Sequence, residues 1–329
     1  MTEFDSPLLA SRGYNMRPLE GTDAVGLCDL LDKSAKETGA DSPPYEGIAQ
    51  ILDRFGNRLA TDSLVVLSEA EEPIAAALVF LPPASGDAEV ASLLGVVRPD
   101  HYEQGLGTAV LDWMEQRVRT AQEADKKLQS MRMSCDPQNL ARVCLFEQHA
   151  FKAVRYSFKM QAALTASIEE PTIPSGLSLI PWQSEWSESA RAAFNRAFAE
   201  HWGLPTISKE MWMSRFVGVP KFRPDLSSLV VYKREIIGVC INWIPPGTEY
   251  GWIEAIGVVP EWRGQGVAAA MMARALNAFL KCGFSQVCLD VDTQNPTGAL
   301  QLYEKVGFTP VKQEAIFVKA LDEVNQKTS

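Results

Sequence analysis

Glu254, Arg263, Gly264 and Gly266 are the residues whose types and spacing could do chemistry. Glu254 lies in "YGWIEAIGVV", which runs into "VVPEWRGQGVAAAMMARAL" at 258–276. The apolar run reads as a strand whose ladder ends at Pro260. Gly264 and Gly266 tolerate positive φ and let a ligand approach the backbone closely. An alanine-rich helical pattern follows. Unpaired backbone N–H groups and the positive end of a helix dipole then converge on one point. A pyrophosphate fits there, with Arg263 as a candidate charged partner; the plain alternative is a turn that only packs helix against strand. Strand alternation puts Tyr250, Trp252, Glu254, Ile256 and Val258 on one face. A carboxylate among Trp and Ile is partly desolvated, which raises its pKa toward the range of a general base; the plain alternative is a salt-bridged or solvated glutamate. A dinucleotide fold is disfavoured, because no G-x-G-x-x-G with a later ribose-binding acid is present, and no Gly-Lys-Ser/Thr follows the turn.

The elements that must position these residues occur twice. "YNMRPLEGTDAVGLCDLLDKSAK" and "LSLIPWQSEWSESARAAFNRAFAEHWG" each read as strand, cap and amphipathic helix. "SLVVLSEAEEPIAAALVFLPP" is matched by "SLVVYKREIIGVCINWIPP" as a strand pair about a turn. The strand–loop–helix unit has an earlier copy, "VVRPDHYEQGLGTAVLDWM" at 96–114, and "NLARVCLFEQHAF" aligns with "NPTGALQLYEKVGF". A repeat of this length is a duplicated domain rather than a solenoid unit. The expected fold class is α/β, or α+β with a mixed sheet: two tandem domains, each a central, mostly antiparallel sheet flanked by helices. Residues 1–166 form the first domain, the Pro- and Glu-bearing stretch 167–176 a linker, and 177–329 the second domain.

A chain of 329 residues fits two cores. Its net charge of −10 argues against a nucleic-acid partner and favours cationic acceptors. No apolar run approaches a membrane span, and the N-terminus lacks a secretory signal, so no membrane role and a cytoplasmic location are expected. The six cysteines show no C-x-x-C or Cys/His ligand spacing, so reduced thiols and no metal site are expected.

"VVPEWRGQGVA" followed by "NPTGALQLYEKVGF" resembles the Gcn5-related N-acetyltransferases, the GNAT superfamily. The family loop, Gln/Arg-x-x-Gly-x-Gly/Ala, is met by Arg263, Gly266 and Ala268. The second signature, an Asn, then a helix with Leu-Tyr, then Gly-Phe, is met by Asn295, Tyr303 and Gly307. The resemblance covers essentially the whole chain, once per half, and the tandem layout is similar to the double GNATs of the mycothiol synthase type. It implies an acyl-CoA-dependent N-acyltransferase with acetyl-CoA, or another short acyl-CoA, as cosubstrate and a small-molecule or peptide amine as acceptor. The cosubstrate would lie along Val258, Val259, Arg263, Gly264, Gln265, Gly266, Val267 and Ala268. A non-catalytic acyl-CoA-binding or sensing protein is the alternative.

Acyl transfer needs a base for the amine, donors for the developing oxyanion and an acid for the departing thiolate. Glu254 is the base candidate, a main-chain N–H near Val258 the oxyanion donor. The resemblance makes Tyr303 the acid; without it, Tyr303 reads as a core aromatic. The resemblance also implies that Asn295 touches the cosubstrate. Here it stands eight residues before Tyr303, where the family pattern has seven, and Asn-Pro alone reads as a helix cap followed by the first helical residue. His201, Trp202, Trp212 and Trp243 are candidates for the acceptor pocket, in a half that holds seven of the eight tryptophans. In the first half Leu93 stands opposite Glu254, Tyr102 opposite Arg263, Phe146 opposite Tyr303 and Ala150 opposite Gly307. Gln104, Gly105, Leu106 and Gly107 keep a loop that could hold phosphate through backbone alone. The first domain is therefore expected to be catalytically silent.

Overall fold

The computed structural model describes residues 14–38, 45–82, 89–124, 127–295 and 297–321. They form two compact units, one reaching to Arg155 and resuming at Glu314, the other running from Tyr156 to Gln313.

In chain order the first half supplies β1 (Asn15–Arg17), α1 (Ala24–Thr38), α2 (Tyr45–Phe55), β2 (Ser63–Leu67), β3 (Pro73–Phe80), β4 (Val90–Val97), α3 (Leu106–Ala124), β5 (Ser130–Cys135), α4 (Leu140–Gln148) and β6 (Lys152–Ala163). The second half supplies β7 (Leu177–Pro181), α5 (Ser187–Ala197), β8 (Ser228–Tyr232), β9 (Glu235–Trp243), β10 (Gly251–Val258), α6 (Val267–Lys281), β11 (Gln286–Asp292), α7 (Ala299–Lys305) and β12 (Thr309–Ala320).

The strand order is β1-β2-β3-β4-β5-β12 in the first unit and β7-β8-β9-β10-β11-β6 in the second. Among the described residues, β4–β5 and β10–β11 pair in parallel within the units, and the other strand pairs there are antiparallel. The mixed α/β architecture and the mostly antiparallel sheets agree with the sequence. The units do not part at 167–176. Ser157–Asp292 through Ala163–Gln286 pair β6 with β11 inside the second unit, and Ala315–Cys135 through Ala320–Ser130 pair β12 with β5 inside the first. Each half of the chain thus provides the last strand of the other unit. A linker composition marks where the chain is unstructured, not which sheet a neighbouring strand joins.

In the second unit the helices flank the sheet on opposite sides. A Cβ on Gly251 would lie 2.4 Å from Phe279, and one on Gly238 would meet Met271, both on α6. A Cβ on Gly257 would lie 2.6 Å from Phe198 and 3.0 Å from Ala197, at the end of α5. Val267, Met271, Ala275 and Phe279 repeat at helical spacing, and all four are buried in the core of this unit. Among the described residues no helix is long and apolar enough to cross a membrane.

Candidate active site

The loop is built from the end of β10. Val259 N–H donates to Ile237 O, and Pro260–Trp262 make one 3₁₀ turn. Gly264 takes φ of 72° and Gly266 φ of 78°, after which α6 begins at Val267. A Cβ at either glycine would meet nothing within 4 Å, so the left-handed backbone rather than crowding demands glycine. The first turn of α6 leaves main-chain donors at the loop. The side chains of Val258, Val259 and Val267 are buried in the core. Ala268 is partly buried against it, so these residues offer a ligand main chain rather than side chain. Gln265 folds its amide back onto Glu261 O at 3.3 Å.

Arg263 does not project freely from this loop. Its guanidinium donates to Val258 O at 3.2 Å, Ala197 O at 2.9 Å and Glu200 Oε2 at 2.9 Å. It ties the loop to the carbonyl end of α5, where a cation is favoured. Arg196 adds a second tie to Glu261 at 3.1 Å. These bonds make Arg263 a brace between the loop and α5.

Glu254 sits on a β-bulge. Ile253 pairs with Asn242 and Ala255 with Ile241, so Glu254 is the extra residue on β10. The bulge breaks the expected alternation. Gly251 faces α6, so Trp252 and Glu254 turn to the α5 side. Beyond the bulge the order inverts: Gly257 faces α5, and Val258 faces α6 opposite Gly238. Val258 thus leaves the face that Glu254 keeps. The carboxylate accepts the Trp252 indole N–H at 3.0 Å. Burial pushes its pKa up to about 7; the Trp252 hydrogen bond and the charges of Lys221 and Arg215 restrain the rise, and Asp290 adds to it. That value suits a base at neutral pH. The β10–β11 ladder is formed at Gly251–Val287 and Trp252–Cys288, before the bulge. No β10–β11 pair is formed beyond the bulge among the described residues.

Tyr303 lies on α7, buried in the core beside Phe308 with ring centroids 6.0 Å apart. Burial, with the Cys240 thiol nearby, raises its pKa above the ordinary phenol value, so it holds its proton at neutral pH. Asn295 does not cap α7. The N-cap is Gly298, and Asn295 Oδ1 instead accepts from Thr297 N at 2.9 Å and Thr297 Oγ1 at 2.6 Å. This side-chain turn forms three residues upstream of the cap.

The pocket candidates separate. Trp212 is 1% exposed and gives its indole N–H to Ser187 Oγ at 3.0 Å, so it is core rather than pocket wall. Trp243 is buried beside the site: it stands opposite Trp252 and donates to Phe216 O at 3.0 Å. His201 and Trp202 are partly buried just after α5, with His201 Nδ1 3.1 Å from Trp202 O. The sequence reading missed Arg215, Lys221 and Lys159. Lys221 Nζ sits 3.7 Å above the Trp243 ring, and Lys159 Nζ sits 5.0 Å from Tyr250 and 6.0 Å from Trp252. No local motif marks these cations; non-adjacent segments bring them to the site.

The first unit keeps the loop geometry and carries different side chains at the matching positions. Pro99–His101 repeat the 3₁₀ turn, and Glu103 at φ 60° and Gly105 at φ 81° repeat the angles of Gly264 and Gly266. Gln104 joins Tyr14 at 3.1 Å, Leu106 is buried, and Gly107 packs on Leu145. A cavity of about 350 Å³ is lined by this loop, Gly95, Phe146 and Arg142. Across it Arg142 donates to Gly95 O at 2.5 Å. The β3–β4 register runs without a bulge past Leu93, and Phe146 offers no hydroxyl.

Residues 184–308 match the acetyltransferase (GNAT) family. The chain is 26% identical over 292 residues to a mycothiol acetyltransferase of Kocuria rhizophila, covering 85% of this chain and 91% of that one. It is 25% identical over 312 residues to the enzyme of the same name from Streptomyces griseus, covering 93% and 95%. Among solved structures it is similar to a GCN5-related N-acetyltransferase from Sphaerobacter thermophilus, with a TM-score of 0.78, 23% identity and coverage of 93% and 95%. It is also similar to a tandem GNAT protein from the clavulanic acid biosynthesis pathway, with a TM-score of 0.70, 16% identity and coverage of 93% and 98%.

Proposed function

Because the second unit carries a GNAT-family acetyltransferase domain, we propose that the protein moves an acetyl group from acetyl-CoA to the primary amine of a small molecule, with Glu254 as general base and Tyr303 as general acid. The loop from Arg263 to Ala268 holds the pyrophosphate by main-chain N–H groups, with Arg263 fixing the loop's place. Glu254 takes the proton from the attacking amine. Main-chain donors on the stretch of β10 beyond the bulge receive the oxyanion, and the C–S bond breaks as the Tyr303 phenol gives its proton to the thiolate sulfur. The first unit is catalytically silent, because Leu93 and Phe146 replace base and acid.

The observation that carries this reading is Glu254 itself. A bulge turns it out of the ladder, burial pushes its pKa up to about 7, and it precedes a positive-φ loop at the start of a 15-residue helix. The names of the curated relatives support a small-molecule amine as acceptor.

Free-thiol release from acetyl-CoA with a panel of amines tests it. Glu254→Gln and Tyr303→Phe should each lower kcat by about 10²-fold or more while acetyl-CoA affinity stays within a few-fold. Wild-type rates in both variants would remove the mechanism.

A further inference from the structure

On the α5 side of the second unit, an aromatic floor adjoins Glu254. Trp243 and Trp252 stand directly opposite each other on β9 and β10, and the Trp252 indole is bonded to the carboxylate. Cations border this floor. Lys221 Nζ lies 3.7 Å above Trp243, in a segment held to β9 by the Phe222–Trp243 bridge and by Ile244 N–H to Lys221 O at 2.9 Å. Arg215 rides on the helical turn Met213–Val217, which the Trp243 indole anchors through Phe216 O at 3.0 Å. Both charges act on Glu254. Lys159 approaches Trp252 from β6, where its cross-strand neighbour is Asp290.

Arg215 differs from the other arginines named in this unit. Arg191, Arg196, Arg223 and Arg263 of the same unit each hold a carboxylate. Arg215 has no ion pair among the described residues; its guanidinium lies 5.9 Å from the Phe216 ring. In a chain of net charge −10, cations gathered beside a carboxylate base oppose the overall balance. Their field disfavours an acceptor that is only an ammonium ion and favours a neutral amine attached to an anion.

Resting on the acetyl-transfer reading above, we infer that the acceptor carries, besides its amine, an anionic group, a carboxylate or a phosphate, which Arg215 and Lys221 receive while Trp243 and Trp252 support the body between. The charge balance of the sequence favours cationic acceptors; at this site the tertiary structure reverses that preference. Arg215 and Lys221 would be specificity-determining residues, with Arg215 the better match to a planar or tetrahedral oxyanion.

The experiment measures kcat/KM for matched acceptors with acetyl-CoA and the full chain. β-Alanine is compared with β-alaninamide, and O-phosphoethanolamine with ethanolamine, within a wider set of amino acids and their amides. The expected result is at least a tenfold preference for the anionic member of one pair type, which also names the anion. That preference should weaken with added salt, collapse in Arg215→Ala and return in part in Arg215→Lys. Equal or faster transfer to the neutral members, or a preference unchanged in Arg215→Ala, overturns the inference and leaves acetyl transfer standing. Thiol release that no amine of either kind accelerates overturns the transfer reading, and this inference with it.

Discussion

The Trp252 indole N–H donates to Glu254 Oε2 at 3.0 Å, and both residues face the α5 side of β10, Trp252 ahead of the bulge and Glu254 as its extra residue. The bond favours the ionised carboxylate against the burial that disfavours it. With the carboxyl titrating at about 7, kcat/KM should rise with pH through that value as the base deprotonates. Trp252→Phe keeps the apolar ring and removes the donor, so this limb should move to higher pH. A pH–rate profile reads the shift, and an unmoved limb would separate Trp252 from the base.

The same carboxyl makes stability depend on pH. Its folded pKa lies above its unfolded one, so its contribution is complete below the unfolded value and is lost as pH rises through about 7. Glu254→Gln removes that loss. The variant should match wild type below the ordinary value of 4.5, gain on it between there and about 7, and exceed it by about 3 kcal/mol above neutrality. Urea denaturation across pH measures this; a variant less stable than wild type in base would contradict it.

Arg263 offers a test of brace against phosphate partner. As a brace it holds Val258 O, Ala197 O and Glu200 with no ligand needed. Arg263→Ala should therefore cost about 1–3 kcal/mol of stability without acetyl-CoA, as well as weakening acetyl-CoA binding. If only the affinity falls and thermal denaturation of the free protein is unchanged, Arg263 belongs to the phosphate instead.

The two repeats offer a matched pair of backbone substitutions. Gly307 at φ 96° and Ala150 at φ 62° follow corresponding helices, α7 and α4. The left-handed region disfavours a residue with a Cβ. Ala150→Gly should stabilise the protein by about 1 kcal/mol, and Gly307→Ala should destabilise it by a similar amount. Chemical denaturation reads both. Opposite signs are the prediction, and a loss from Ala150→Gly would contradict it.

The sequence by itself determined the duplication, the mixed fold, and the loop with its two positive-φ glycines. Each is written in local spacing: hydrophobic period, a proline that stops a strand, glycines before a helix. Glu254 stood out as a carboxylate in an apolar strand that runs into that loop, and Tyr303 was singled out only through the resemblance. Tertiary structure alone decided what depends on partners far apart in the chain. The bulge at Glu254 is a register shift against β9, and alternation within β10 cannot reveal it. The Arg263 brace needs α5, sixty-odd residues away. The cations beside Trp243 and Trp252 come from segments that share no motif. The last strands, β6 and β12, join sheets that their own sequences do not specify. Apolar and polar alternation states which face of a strand is buried, while the choice of neighbouring edge follows from the folded sheet.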